Sequence, residues 1–312
     1  MSETSKTTLG ERLRHLTIGA PVEAGGLQVF PLRWETPPGP DYRTLDEAVA
    51  EGGIEVTEVS DGGSVPTLRV TNKDARPVFL MAGEHLAGGK QNRVLNASIL
   101  VAGNATLPIP VSCVERGRWA HRSKSFHGSG SGSHSMLRKM MHSQVTDSYR
   151  VSGRAQSNQG AVWREVDRKL GETMSYSESA YLDKAYEDTE PVLREMAEQL
   201  TPPEGAAGAV FAYGGQIVGL DLFDRPATLA RLWPKLVRAY AIDARMKKDQ
   251  TPVPVDQVQA WLATAPADRE EVFRSAGLGE DVRLEAPTLV AACLRVDDTP
   301  IHVEAFAETL PA

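Results

Sequence analysis

Two short strings in this sequence hold more functional side chains than a connection between strands requires. The first, Gly83-Glu84-His85-Leu86-Ala87-Gly88-Gly89-Lys90-Gln91-Asn92-Arg93, gathers an acid, an imidazole, two cations and two amides around glycines that let a ligand approach the backbone. It superficially matches a phosphate loop but fails the Walker A spacing, with five residues between Gly83 and Gly89-Lys90 and with Gln91 where a Mg²⁺-binding Ser or Thr should stand. P-loop NTPase chemistry is therefore excluded. A coarser expectation survives, in which the Gly88 and Gly89 amides act with Lys90 and Arg93 to hold a phosphate or pyrophosphate. The competing reading is a polar connection whose charges are solvated.

The second string is Cys113-Val114-Glu115-Arg116-Gly117-Arg118-Trp119, where an apolar strand runs out into charge and then an aromatic. Strand alternation puts Cys113 and Glu115 on one face. Glu115 suits a carboxylate base, Arg118 an anion and Trp119 a base or ribose face; against this stands a plain strand end with an ion pair and a core Trp. Cys113 has nothing around it in sequence that would lower a thiol pKa, so it reads as inert. His121, His127, His134 and His142 match no metal-ligand spacing, and no metal site is assigned. Asp224 reads as a helix starter, and Asp221, alternating with Leu220 and Leu222, is expected to point to solvent.

The elements that must position these residues divide unevenly along the chain. The 312 residues are 41% hydrophobic and 24% charged, with a net charge of −7, which is a globular composition with room for one large domain or two ordinary ones. No apolar run is long enough to span a bilayer, Met1 to Arg14 has no signal-peptide core, and two cysteines cannot build a disulfide framework; a soluble cytoplasmic protein is expected. Runs at 27–34, 54–59, 67–71, 78–82, 97–102 and 106–114 read as strands, and Thr44 to Glu47 has capping-box spacing for a short helix ending near Gly52. Helices are expected around Val162–Leu170, around Leu193–Leu200 and after Pro226, with hairpins at 209–223 around Gly214-Gly215-Gln216 and at 289–306 around Asp297-Asp298-Thr299-Pro300. Between the halves, residues 118–154 carry seven basic residues against one acid, with a Ser/Gly/His-rich middle that reads as a mobile loop running into a helix near Met136. The fold expected is α+β: residues 1–15 flexible, then a single domain over 16–308, β-rich at 16–117, a basic flexible loop at 118–158, and helices and hairpins at 159–308.

As a whole pattern the chain resembles the family named for its association with ADP-ribosylglycohydrolases and rhodanese-like phosphatases. The resemblance is carried by Met81-Ala82-Gly83-Glu84, Gly88-Gly89-Lys90-Gln91-Asn92-Arg93, Asn96, Pro110 to Glu115 and Gly117-Arg118-Trp119. It continues through Gln159, Val162-Trp163, Asp221-Leu222-Phe223 and Trp233-Pro234-Lys235-Leu236, over roughly residues 20 to 307. It implies handling of ADP-ribose or NAD-derived nucleotides and supplies no mechanism. On that footing Glu84 and Glu115 are the expected catalytic pair flanking a glycosidic carbon, with Gly88, Gly89, Lys90, Gln91, Asn92, Arg93, Asn96, Arg118 and Trp119 binding the nucleotide. The reaction expected is hydrolysis, the partner a small nucleotide or an ADP-ribosylated macromolecule, and the cofactor is left open with Mg²⁺ as the candidate. Two rival readings are a non-catalytic nucleotide-binding module and nucleic-acid binding through the basic loop.

Overall fold

The computed structural model describes residues 7–311. Helix α1 (Leu9–Arg14), started by a capping box between Thr8 and Glu11, leads into β1 (Thr17–Ile18), β2 (Val22–Ala24) and β3 (Leu27–Arg33). Then β4 (Arg43–Thr44) runs straight into α2 (Leu45–Ala50), where Glu47 reaches back to accept from the Thr44 amide and hydroxyl, each at 2.9 Å. The first half continues with β5 (Ile54–Glu58), β6 (Thr67–Asn72), β7 (Val78–Leu80), β8 (Glu84–Gly88), β9 (Arg93–Leu95), β10 (Ile99–Val101), β11 (Thr106–Cys113) and β12 (Ser125–Gly132). The second half holds α3 (Ser135–Ser152), α4 (Gln159–Glu172), α5 (Asp183–Asp188), α6 (Glu190–Gln199), β13 (Gly208–Tyr213), β14 (Gln216–Phe223), α7 (Pro226–Ala244), α8 (Val255–Ala263), β15 (Glu270–Arg274), β16 (Glu280–Glu285), β17 (Leu289–Val296) and β18 (Thr299–Ala307).

These elements make an α+β architecture of one large sheet, one small sheet and a barrel. The large sheet runs β1-β3-β13-β14-β18-β17-β16-β15, with β2 also on β3, so the chain's two ends are knitted into one ladder. Both of its faces are covered. Val29, Ala209, Phe211 and Phe223 face α3, α4, α6 and α7, while Phe30, Leu32, Val210 and Ala212 face α1 and α8. This double cover is why these antiparallel strands read as continuous apolar runs instead of alternating ones. Helix α7 supplies the stripe its spacing predicts: Leu229, Leu232, Trp233, Leu236, Val237 and Tyr240 are all buried, each worth about 1.5–3 kcal/mol of removal from water. Both predicted hairpins form, and in each a two-residue turn takes positive φ at both positions, Gly214-Gly215 and Asp297-Asp298. In the second, strand β18 already begins at Thr299, so the turn is tighter than the four residues expected.

The barrel positions the candidate site. Its six strands close in the order β11-β6-β5-β12-β8-β9, and β7 and β10 pair beside it with β4. Two expectations are corrected here. Gly83 to Arg93 is not a connection between strands, because it contributes β8 and β9 to the barrel wall. The basic loop at 118–158 is likewise occupied by the barrel strand β12 and by the whole of α3. Barrel closure overrides composition: β12 is poor in apolar residues, yet it pairs with β5 on one side and β8 on the other. Its basic charge is also largely matched, since Arg118 pairs with Glu115, Arg138 with Asp221 and Glu304, Lys139 with Glu308, and Arg150 with Glu271 and Glu285. Of the flexible N-terminus expected at 1–15, residues 1–6 lie outside the described residues and Leu9–Arg14 is helical. Among the described residues no helix is long and apolar enough to cross a membrane.

Candidate functional site

At the β8–β9 turn the glycines serve close packing. Gly89 has φ 47°, and a Cβ there would sit 2.1 Å from the Phe126 ring. The amides expected to hold a phosphate already have partners: Gly88 donates to Asn92 Oδ1 (3.2 Å), Gly89 to Ser123 Oγ (3.3 Å) and Lys90 to Glu58 Oε1 (3.1 Å). Lys90 Nζ donates to the carbonyls of Asp61 and Gly62 and stands 5.4 Å over the Trp119 ring. Arg93 is fully buried and donates to the Gln91 carbonyl (2.9 Å), with its guanidinium 5.9 Å from the same ring. Burial lowers its pKa against the pull of Cys113 and Glu58. Gln91 accepts from the Cys113 thiol, and burial raises the pKa of that thiol. Asn96 donates to the Ala155 carbonyl and accepts from Ser112, away from the turn. Trp119, 48% exposed, is the large aromatic surface this region offers to solvent.

The two expected catalytic carboxylates are both buried, in different clusters. Glu115 accepts from Arg118 Nε and Nη2 (2.9 and 2.6 Å), the Asn92 amide (2.9 Å) and Ser179 Oγ (2.7 Å). Burial pushes its pKa up, but Arg118 and these donors outweigh it and hold the carboxyl below its ordinary value. Glu84 pairs with Lys235 of α7, which also binds Asp46 at 2.6 Å. Glu84 begins β8 and Gly88, whose amide bonds Asn92, ends it; at about 3.3 Å per residue that strand is roughly 13 Å long. The structure does not bring Glu84 and Glu115 together around one sugar carbon.

What links the two ends of β8 is a polar chain that the sequence did not announce. From Glu115 it passes through Asn92, whose Nδ2 donates to Asp183 Oδ2 (3.4 Å), to Asp183 at the start of α5. Asp183 Oδ1 meets His85 Nδ1 at 2.7 Å, and His85 Nε2 meets Ser133 Oγ at 2.8 Å. His85 and Ser133 are both 0% exposed. Burial raises the Asp183 pKa, but His85, Ser129 and Asn92 lower it by more, so the carboxylate is held ionised. An ionised Asp183 fixes the proton of His85 on Nδ1 and leaves Nε2 to accept from Ser133. The backbone is built around this contact. Gly128 pairs with Leu86 and Gly132 with Glu84, so the three residues Ser129 to Ser131 bulge opposite the single residue His85.

Three other buried histidines also meet carboxylates, and the comparison separates His85 from them. His134 bonds Glu165, His142 lies 3.6 Å from Glu304, and His302 sits between Ser98 and Asp221. In each of these the carboxylate also binds an arginine: Glu165 with Arg168, Glu304 and Asp221 with Arg138. Asp183 bonds His85, Ser129 and Asn92, none of them a permanent cation. Asp221, expected at the surface, is instead fully buried because its strand β14 lies inside the sheet, where Arg138 clamps both its oxygens at 2.9 and 2.5 Å. Asp224 precedes the helix cap at Arg225 and binds Tyr42 and Arg225.

Close to this centre, a cleft of about 280 Å³ is lined by Glu165, Lys169, Tyr213 and Asp243. It reaches the same helix start, since Glu165 bonds His134, and Tyr213 and Asp243 bond Ser135. The model of a family described as ARG and Rhodanese-Phosphatase-superfamily-associated Protein domain matches residues 15–306. No curated protein and no solved structure matches the chain.

Proposed function

Because the chain belongs to the ARG and Rhodanese-Phosphatase-superfamily-associated family, whose name ties it to ADP-ribosylglycohydrolase, we propose that it is a hydrolase of ADP-ribose-containing or NAD-derived nucleotides or their conjugates. The observation that carries this reading is His85, oriented by an ionised Asp183 and buried next to a hydroxyl, which is the arrangement of a general base. Trp119 offers a half-exposed face for adenine or ribose, with the Lys90 cation over it. Glu115 and Arg118 then act as the brace that fixes Asn92, and through Asn92 the carboxylate of Asp183. The chemistry moves from the two glutamates of the sequence reading to His85, since Glu84 and Glu115 are each consumed by a cation.

A second reading, a binding module without turnover, draws on that same consumption of both glutamates. Incubating the purified protein with NAD, ADP-ribose and ADP-ribosylated protein, with and without Mg²⁺, and resolving products by mass separates the two. Products that disappear in His85→Gln, with binding retained, support the hydrolase. Saturable binding with no product supports the module, and absence of both overturns the nucleotide reading.

A further inference from the structure

We propose that Ser133, His85 and Asp183 form a nucleophilic triad, and that the bond this protein cleaves is an ester joining an acyl group to a ribose hydroxyl of the nucleotide. The nucleotide part rests on the function proposed above; the ester chemistry rests on geometry alone. The hydroxyl, imidazole and carboxylate stand in line at 2.8 and 2.7 Å, within the reach that lets a base take the serine proton while the acid steadies the imidazolium. Ser133 lies between the end of β12 and the His134 cap of α3, an 18-residue helix. The amides of that helix start place partial positive charge beside the nucleophile. Tyr186 packs its ring edge-on to His85, 5.8 Å between centroids, and its buried hydroxyl lies at the His134 backbone amide with no acceptor for its own proton among the described residues. Burial and the charges of Asp243 and Asp183 keep that hydroxyl protonated, so it can donate to an oxyanion.

The Ser98, His302 and Asp221 trio contains the same three residue types and does not carry the same inference. Its carboxylate is neutralised by the Arg138 clamp, and Ser98 Oγ already accepts the Ala82 amide at 2.9 Å. The uncompensated charge of Asp183 is what an imidazolium at His85 needs. Access comes through the bulge: Gly130 is exposed, at φ 80°, with no atom within 4 Å of where a side chain would begin, and Ser129 beside it touches Asp183. Ser129 to Ser131 can lift away from His85 by giving up the Ser129–Asp183 bond, without breaking the β12–β8 pairs on either side.

The reaction balances without a co-reactant other than water. As Ser133 Oγ bonds the acyl carbon, its proton passes to His85 Nε2; the carbon–oxygen bond to the ribose breaks, and that proton leaves with the ribose hydroxyl. Water then gives a proton to His85 Nε2 and its oxygen to the acyl carbon; the acyl carbon–Oγ bond breaks, that proton passes from His85 to Ser133 Oγ, and a carboxylic acid is released. A small acyl ester of ADP-ribose and a ribose ester to a protein carboxylate share this chemistry, and both serve as substrates in the test.

The test combines a fluorophosphonate probe, peptide mapping by mass, and hydrolysis of p-nitrophenyl acetate, an acetyl ester of ADP-ribose and a glutamate-linked ADP-ribosyl protein. The expected result is probe on Ser133, ester turnover falling to background in Ser133→Ala, and a loss of about 10⁴-fold in Asp183→Asn with the melting temperature nearly kept. A merely structural serine would change the melting temperature and leave the probe unreacted. Labelling at Ser98 in place of Ser133, or full ester turnover by a folded Ser133→Ala protein, overturns the proposal. Should Ser133→Ala fail to fold, mapping on the wild-type protein decides alone: probe on Ser133 supports the triad and no probe there overturns it. Cleavage of simple esters but of no ADP-ribose compound keeps the triad and removes the nucleotide reading. Cleavage of ADP-ribose compounds that persists in Ser133→Ala does the reverse.

Discussion

Replacing Glu115 by glutamine distinguishes a brace from a catalyst. The side chain keeps its size and one acceptor oxygen, which still takes the Asn92 amide; an amino group replaces the oxygen that accepts from Ser179, whose hydroxyl must turn to accept from it, and the negative charge facing Arg118 is gone. Breaking one partner of a buried ion pair costs about 3–5 kcal/mol. Here the lower end applies, because Arg118 keeps three carbonyl acceptors at Gly88, Gly89 and Ala120. A loss of about 3 kcal/mol corresponds to a fall of roughly 5 °C in melting temperature for a chain of 312 residues, at about 2.1 cal/mol/K of unfolding entropy per residue. Calorimetry on Glu115→Gln should show that drop, and adding Arg118→Met should recover part of it, since the pair is then removed together. Turnover per folded molecule should fall by less than ten-fold. A melting temperature within 2 °C of wild type combined with a 10²-fold or greater loss of turnover would refute this reasoning and return Glu115 to the catalytic role read from sequence.

Three further outcomes are expected. Gly89→Ala should cost at least about 1 kcal/mol, read by denaturant titration, because a new methyl collides with the Phe126 ring at a left-handed φ; an unchanged midpoint would remove the packing account of this turn. Trp119→Ala should weaken ADP-ribose binding about ten-fold in calorimetric titration while leaving the fold intact, the loss expected for one stacking face; unaltered affinity would place recognition elsewhere. Acid should destabilise the protein in two stages. Burial, and for His134 the Lys169 charge, hold His134 and His142 below the ordinary histidine value, so the unfolded chain takes up protons first and stability declines as pH falls below about 6.5. Glu165, Asp243 and Glu304 sit at about 2 despite burial, held down by Arg168, Lys169 and by His142 with Arg138, so their contribution is complete above about pH 4.5 and drains away as pH falls toward 2. Thermal melts from pH 8 to 2.5 should follow this course, and a flat profile between 6.5 and 5 would contradict the buried neutral histidines.

Much of the scaffold was legible because the signals were local. Strands such as β3, β6 and β11 are dense in β-branched and apolar residues, α7 repeats by threes and fours, and Gly214-Gly215 forces its own turn. Strand β12 was not legible, since a Ser/Gly/His segment has neither apolar content nor period; it is a strand because the barrel needs a partner between β5 and β8. The polar string at Gly83 misled for a related reason. Variety of side chains reads as readiness for a ligand, whereas the Gly89 and Lys90 amides and the Gly88 and Gly89 carbonyls are taken by residues far away in sequence, Ser123, Glu58 and Arg118.

Distance in sequence also explains why no role for His85 is legible from the string that contains it. Nothing around position 85 indicates whether its imidazole has a partner, because the partners stand 48 and 98 positions on. A sequence shows several histidines and many carboxylates. It does not show that His134, His142 and His302 share their carboxylates with arginines while the carboxylate at His85 meets only neutral donors besides it. That difference is electrostatic: the imidazolium formed during a serine attack is steadied by a carboxylate whose charge no arginine has already neutralised. The bulge at Ser129–Ser131 adds the second half of the argument, for a ladder that ran straight past His85 would have tied down the segment that must move to admit a substrate. On the triad proposal, reactivity in this fold is set where the barrel, α3 and α5 meet, and the polar string at the β8–β9 turn holds that junction in place through Asn92.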